Sequence, residues 1–250
     1  MNENMDKCKD VFYLDAQKWF NSKVLEDYIK KLFQKSDKNN EWLQGLYHTY
    51  ISLAEFLKET KGTSTNFTGF SELLIIMVIK KYLEKEFGHF RSEKFPKSVS
   101  KYFKNREITI SHETGFSIRN MKRKNKPKPD IVIEKDCKAV CIIQIKTYLS
   151  EKSMLQLEKE VKKTVDILDE LKRNNMALEN SFCAVLIFHE NFNPNSGNEN
   201  KKYIELFEAR DDTFLSCYKI IKHEKFLSMK DVLRKICFLL NNNISSKSIM

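Results

Sequence analysis

The chain has 250 residues and a formal net charge of +10, with 44 Lys and Arg residues against 34 Asp and Glu residues. Its six cysteines form no Cys-x-x-Cys pair, and no histidine lies at a zinc-like spacing from them, which argues against a zinc site or a disulfide framework. No apolar run reaches the about 18 residues of a membrane-spanning helix, and the N-terminal residues lack the pattern of a signal peptide. We therefore expect a cytoplasmic protein that does not associate with a membrane.

The excess of positive charge has two explanations. It would attract a polyanionic partner, such as nucleic acid or an anionic membrane surface. A soluble protein from a lysine-rich proteome would show the same balance without any such partner. The net charge alone leaves both explanations open.

The first third of the chain has helical periodicity. Apolar residues recur there at three- and four-residue steps, and the polar segments SDKNN and KGTSTNFTG interrupt the pattern. The pattern predicts helices over residues 15–35, 41–58 and 70–87. The last of these is apolar all round in its middle, which indicates burial on most sides. Residues 1–62 are predicted to form an N-terminal helical region, and residues 63–250 the main domain.

The composition then changes to short runs rich in β-branched residues, which are typical of strands. Alternation predicts a strand over 106–113, which continues after a turn over 114–120. The remaining predicted elements are strands over 129–134 and 139–148, a helix over 150–175, strands over 181–190 and 214–223, and a helix over 226–240.

Two of these predicted strands, 139–148 and 181–190, are almost continuously apolar, and one long amphipathic helix joins them. This pattern is typical of a parallel crossover in a sheet that is covered on both faces. The short KDCK turn between 129–134 and 139–148 instead predicts an antiparallel hairpin. The predicted fold is therefore α/β, with a mixed β-sheet flanked by helices.

Polar residues interrupt the apolar strand 139–148 near its end. Gln144 and Lys146 are two positions apart, so they share one face of the strand. The short hairpin turn places Asp130, at the start of the preceding strand, beside the same end of the sheet. A lysine buried there without a partner would be costly, and an aspartate together with a bound dication or phosphate would relieve that cost.

The arrangement resembles the PD-(D/E)xK nuclease superfamily. The residues that match are Pro129-Asp130 followed by Gln144-Ile145-Lys146, and the order of elements from about residue 70 to 189 is similar to the core of that superfamily. Gln144 departs from the usual pattern because it stands in place of the second acid. A Q-x-K version of the motif is found in some relatives, such as Mrr-like restriction nucleases.

The resemblance implies a restriction-endonuclease-like core and a role for each residue. Asp130 would ligate Mg²⁺, or Mn²⁺ in its place, and the Ile145 carbonyl would be a further ligand. Gln144 would offer its amide oxygen to the metal or hold a metal-bound water. Lys146 would orient or help deprotonate the attacking water and stabilise the charge of the phosphorane. Glu72, in the helix before the sheet, would supply the missing acid. The implied protein is an endonuclease for double-stranded DNA, of type II or Mrr-like restriction type, that works as a homodimer.

A basic run lies immediately before Asp130. Charge runs are commonly solvated loops, but beside a phosphodiesterase site such a run is suited to contacts with the DNA backbone. The predicted DNA-binding residues are Lys122, Arg123, Lys124, Lys126 and Lys128.

Each candidate residue also has an ordinary structural explanation. Asp130 after a proline is common in turns, Gln144 and Lys146 suit the wet end of a strand, and Glu72 suits the first turn of a helix. The missing second acid favours an alternative function. In this alternative the chain keeps the nuclease fold with a weakened site and acts as a nucleic-acid-binding or interaction module.

Overall fold

The structure, a computed structural model, describes residues 23–34, 40–61, 68–93, 102–112, 129–146, 151–188, 205, 207–217 and 223–242. The chain divides into two compact units, Met1–Ser36 and Asp37–Met250. Helix α1, Lys23–Gln34, is the described part of the first unit. The predicted domain boundary after residue 62 stays a prediction.

The second unit contains four helices and seven strands within its described residues. The helices are α2 Glu41–Lys61, α3 Thr68–Phe87, α4 Glu151–Arg173 and α5 Met229–Asn242. The strands are β1 Arg91–Glu93, β2 Tyr102–Asn105, β3 Ile108–His112, β4 Ile131–Lys135, β5 Lys138–Lys146, β6 Ala177–Ile187 and β7 Thr213–Cys217. No helix in the described part of the chain is both long enough and apolar enough to cross a membrane.

All seven strands form one sheet in the order β1-β2-β3-β4-β5-β6-β7. Neighbours from β1 to β5 are antiparallel, and β5, β6 and β7 are parallel. Helix α4 makes the crossover from β5 to β6. Five consecutive residues of β5, Ala139–Ile143, are buried, so the strand is covered on both faces. The predicted α/β class with a mixed sheet flanked by helices is therefore confirmed.

The hairpin of β4 and β5 sets the register at the polar end of the sheet. Its two turn residues, Asp136 and Cys137, have φ of 50° and 62°. Positive φ at both central residues is the mark of a type I′ turn, whose twist suits a two-residue hairpin. In this register Ile131 pairs with Ile143, so Asp130 lies beside Gln144.

Apolar packing fixes the helices on both sides of the site. Ile167, Leu168 and Leu171 of α4 are buried in one cluster with Val132 of β4 and Ile142 of β5. Helix α3 carries the predicted burial on most sides, since its side chains are almost fully excluded from solvent at Leu74, Ile75, Ile76, Val78, Ile79 and Leu83. Each helix therefore presents its polar residues at a fixed place beside the sheet.

The observed elements differ from the predicted ones at a few places. Strands β1 and β2 were not predicted, because RSE and YFKN are only three and four residues long and show no sustained alternation. The last helix begins at Met229 rather than at residue 226, because Ser228 caps it: the Asp231 N–H donates to the Ser228 Oγ at 3.1 Å. The predicted strand over 114–120 lies outside the described residues, as do residues 218–222 of the predicted strand 214–223.

Candidate active site

Asp130 is the centre of a polar cluster at the open end of the β4–β5 hairpin. Its Oδ2 accepts two hydrogen bonds from β5, one from the Gln144 Nε2 at 2.5 Å and one from the Ile145 N–H at 2.6 Å. Strand β4 begins only at Ile131, so the Asp130 carboxylate takes the place of the next backbone partner for Ile145. Both bonds end on Oδ2, and within the described contacts Oδ1 is left for a ligand.

Lys146 lies on the same face of β5 as Gln144, two residues further along, as the sequence predicted. Burial lowers the pKa of Lys146, while the charges of Asp130 and Glu72 act to raise it and that of Lys163 acts to lower it. The half-buried ammonium group therefore lies within electrostatic reach of two carboxylates and one further cation.

Glu72 enters the cluster from helix α3. Its side chain is 18% exposed, and its charge acts on Asp130. Burial and, after it, the charge of Glu72 raise the pKa of Asp130 from 3.8 to about 6, against the lowering effect of Ile145, Lys146 and Gln144. The structure thus brings the four predicted site side chains, Asp130, Gln144, Lys146 and Glu72, to one end of the sheet.

Two further side chains belong to the cluster, and the sequence reasoning missed both. His112, the last residue of β3, contacts the Glu72 Oε2 through its Nε2 and is buried. Thr164 of α4 is also buried, and its Oγ1 donates to the Gln144 Oε1 at 3.5 Å. His112 could have been found from the sequence, because it is a titratable residue at the end of the predicted strand that precedes Asp130. No sequence signal marks Thr164, because its place depends on how α4 is rotated over the sheet.

Gln144 is held by both ends of its amide group. The nitrogen donates to Asp130, and the oxygen accepts from Thr164. In this arrangement Gln144 orients the Asp130 carboxylate. The predicted role of its amide oxygen as a metal ligand stays a prediction.

The predicted DNA-binding residues lie outside the described residues. These are Lys122, Arg123, Lys124, Lys126 and Lys128. The described part of the chain does carry exposed lysines on helix α4, at Lys159, Lys162 and Lys163. The charge of Lys163 acts on Lys146, so this lysine adds positive charge beside the cluster.

The oxygen groups of the cluster are suited to Mg²⁺. The described residues contain no group of three or more His, Cys, Asp and Glu arranged to hold a metal ion, so a dedicated protein cage is not present among them. Mg²⁺ rarely uses such a cage, because it keeps several waters and binds through one or two carboxylates. Asp130 and Glu72 supply two carboxylates that repel each other in a partly buried place. A dication would offset that repulsion.

The backbone supplies one more oxygen at the same place. In an antiparallel ladder the N–H and C=O of one residue point toward the same neighbouring strand. Since the Ile145 N–H donates to Asp130, the Ile145 carbonyl lies on the same edge of β5. The predicted ligand role of this carbonyl is consistent with its position and stays a prediction.

Fold and cluster together define an α/β protein with a mixed sheet and an acid, amide and lysine cluster at a hairpin end. No protein-family model matches the sequence, and no curated protein matches it. A solved structure described as a complex of the restriction endonuclease PspGI with substrate DNA aligns with this chain at a TM-score of 0.45. That alignment has 12% sequence identity and covers 91% of this chain and 92% of the other.

Proposed function

We propose that the chain is a Mg²⁺-dependent endonuclease, able to use Mn²⁺, that hydrolyses phosphodiester bonds in double-stranded DNA. The observation that carries this proposal is the convergence of Asp130, Glu72 and Lys146 at one end of the sheet, where Asp130 is fixed by Gln144 and Ile145. Two carboxylates and an ammonium group at one site are the groups that metal-assisted phosphodiester hydrolysis needs.

The metal ion would be held by Asp130 and Glu72, with the Ile145 carbonyl as a further oxygen. When bound, it would polarise the phosphate and lower the pKa of a bound water. Gln144 acts on Asp130 rather than on the substrate, because its amide nitrogen fixes the Oδ2 of that residue. The carboxylate is therefore oriented before any ligand arrives.

Lys146 is the group suited to the reacting phosphate. Its ammonium is half-buried beside the two carboxylates, where a fixed positive charge is worth more than it is in water. It would hold the attacking water in line with the leaving oxygen and offset the negative charge that develops on the phosphate oxygens. No covalent intermediate is needed, since water is the nucleophile.

Charge supports DNA as the substrate. The chain carries a net +10, the lysines at 159, 162 and 163 of α4 are exposed, and the charge of Lys163 acts on Lys146. The basic run over 122–128 immediately precedes Asp130 in sequence. Lysine and arginine contacts to phosphates supply most of the affinity for a duplex, independently of its sequence. Two sites, one for each strand, would cut a duplex in a single binding event, so we propose a homodimer of type II or Mrr-like restriction type.

Plasmid cleavage tests the proposal. The wild-type chain should cut plasmid with Mg²⁺ and not with EDTA, while Asp130→Ala and Lys146→Ala should lose cutting and keep DNA binding. Lys138→Ala is a matched control, because Lys138 lies on the same strand β5 but bonds to Asn175 at the opposite end. Cutting by both site variants at the wild-type rate would refute the assignment.

One observation favours a second function, a nucleic-acid-binding module with a weakened site. Gln144 stands at the position that commonly carries a second acid, and its neutral amide offers no charge to a metal. Both ends of that amide are also hydrogen-bonded within the protein, to Asp130 and to Thr164. On this alternative the wild-type chain binds duplex DNA with a steep dependence on salt and cuts none with Mg²⁺ or Mn²⁺. A filter-binding titration beside the plasmid digest separates the two functions.

A further inference from the structure

Among the described residues of the cluster, His112 has no role in the proposed reaction. It ends β3 and pairs in register with Ile131, the residue after Asp130. Its Nε2 contacts the Oε2 of Glu72, which lies 40 positions away on helix α3. The two side chains are 8% and 18% exposed. This titratable pair thus joins helix α3 to strand β3, which pairs with the strand that Asp130 precedes.

The pair is not needed to attach α3 to the rest of the unit. Helix α3 is anchored by six almost fully buried apolar side chains, from Leu74 to Leu83. Withdrawing a histidine and a carboxylate from water costs free energy, and apolar residues of similar volume often stabilise a fold equally well or better. A polar pair that stability does not require is expected to serve the site.

A carboxylate that is fixed through one oxygen presents its other oxygen in a defined direction. The N–H of a histidine ring commonly orients a metal-binding carboxylate or is itself oriented by one, and such outer contacts affect metal affinity strongly. Glu72 acts on Asp130 electrostatically, so the two carboxylates lie at the same end of the sheet. Without the ring, the Glu72 side chain would gain rotamer freedom and could turn toward solvent.

We propose that His112 is a positioning residue that holds the Glu72 carboxylate, through its Oε2, in the orientation that completes the metal site with Asp130. The inference rests on the proposed function, since it assigns Glu72 to the metal. It adds that the Glu72 contribution depends on a contact to β3, through the Nε2 of His112.

Mn²⁺ binding, measured by electron paramagnetic resonance on the full chain without DNA, tests the proposal. His112→Leu should weaken Mn²⁺ binding about 10-fold, the size expected for loss of an orienting contact. His112→Gln places an amide donor near the position of Nε2, so it should retain binding within about threefold. Glu72→Gln should weaken binding at least as much as His112→Leu.

A double variant decides whether His112 acts through Glu72. If it does, His112→Leu combined with Glu72→Gln binds Mn²⁺ no more weakly than Glu72→Gln alone, because the two losses are not additive. A double variant that loses the product of the two single effects overturns the proposal, as does unchanged affinity in His112→Leu. If His112→Leu does not fold, His112→Asn, whose shorter amide does not reach Oε2, replaces it in the cycle.

His89→Leu is the matched control, because His89 contacts Glu84 near the other end of α3 at 3.0 Å and is 75% exposed. Its Mn²⁺ affinity should equal that of the wild type. If the wild-type chain binds Mn²⁺ but cuts no DNA, the proposed nuclease activity is refuted. The Mn²⁺ affinities of the variants still decide the role of His112. A wild-type chain that binds no Mn²⁺, with Asp130→Ala indistinguishable from it, overturns the positioning role as well.

Discussion

Two ionic clusters lie at opposite ends of the parallel strands, and they shift the pKa of an aspartate in opposite directions. At the start of β7, Asp212 accepts from the Arg210 Nε at 3.0 Å and from the Lys172 Nζ at 2.7 Å. Burial acts to raise the pKa of Asp212, but these hydrogen bonds lower it to about 2. At the other end, burial and the charge of Glu72 raise the pKa of Asp130 to about 6.

The two clusters differ in how far opposite charges within the protein balance each other. Arg210 also makes a bidentate pair with Asp169, at 2.9 and 2.6 Å, so its hydrogen bonds to Asp169 and Asp212 raise its pKa further. Opposite charges satisfy each other there, and the network holds α4 beside β7. Around Asp130 two carboxylates lie close together with a single half-buried lysine. An excess of buried negative charge is unfavourable for the fold and favourable for a cation.

Replacing Asp130 should have the largest effect and should act in two directions. Asp130→Asn should reduce Mg²⁺-dependent cutting by about 1,000-fold, because the metal and the orientation of the site both depend on this carboxylate. At pH 7 the same variant should have a free energy of unfolding higher than that of the wild type by on the order of 2 kcal/mol, because ionisation of Asp130 opposes folding. The gain would appear as a higher urea midpoint.

The sign of that stability effect can be checked by pH. The pKa of Asp130 is raised in the fold, so its favourable contribution is present below 3.8 and lost as pH rises through about 6. The stability gain of Asp130→Asn should therefore shrink toward zero at pH 4. Equal urea midpoints for variant and wild type at both pH values would contradict the claim that ionisation of Asp130 opposes folding.

Asp212→Asn should show the reverse pattern. It removes charged hydrogen bonds to Arg210 and Lys172, so it should destabilise the fold by roughly 2 kcal/mol at pH 7. The contribution of Asp212 is present above its ordinary pKa of 3.8 and is lost as pH falls through about 2. Cutting measured well below the melting temperature should stay at the wild-type rate. A large loss of cutting in a folded variant would contradict the division into two clusters.

Cleavage should depend on pH through Asp130. At low Mg²⁺, the rate should fall about tenfold for each pH unit below about 6, since only the ionised carboxylate binds a cation. Raising the Mg²⁺ concentration should move the midpoint to lower pH, because the metal competes with the proton. A midpoint that does not respond to Mg²⁺ would remove Asp130 from the metal site.

Gln144→Glu should have the smallest effect and sharpens the choice between the two proposed functions. Asp130 keeps the hydrogen bond from the Ile145 N–H in this variant, and a carboxylate at position 144 binds a cation more strongly than an amide does. The Mg²⁺ concentration for half-maximal cutting should therefore stay equal or fall a few-fold. Gain of cutting by this variant over an inactive wild type would favour the weakened binding module. Complete loss of metal-dependent activity would count against the place given to Gln144.

The sequence was a good guide to the strands from β3 to β7 and a poor one to β1 and β2, at one side of the sheet. Strands β5 and β6 are nearly continuous apolar runs, so their burial and parallel pairing follow from composition. The convergence of Asp130 with Gln144 and Lys146 followed from two local rules, the alternation of a strand and the shortness of a turn. Strands β1 and β2 were missed because segments of three and four residues are too short to show a comparable pattern.

The missed residues of the cluster depend on long-range geometry. His112 reaches Glu72 because β3 ends opposite Ile131, a register that the sequence between β3 and β4 does not specify. Thr164 reaches Gln144 because the apolar side chains Ile167 and Leu168 fix the rotation of α4 over the sheet. Neither contact is between residues close in sequence, so local patterns carry no signal for them.

The two-residue turn of Asp136 and Cys137 has a consequence far from itself. Lys146 lies eight steps of about 3.3 Å along β5 from the first residue after the turn. One inserted residue there would slip the strand by one position, move its side chains to the opposite face and part Asp130 from the amide that fixes it. The length of this turn therefore sets the register of the site, and a length change there should abolish the function of the site while the sheet survives.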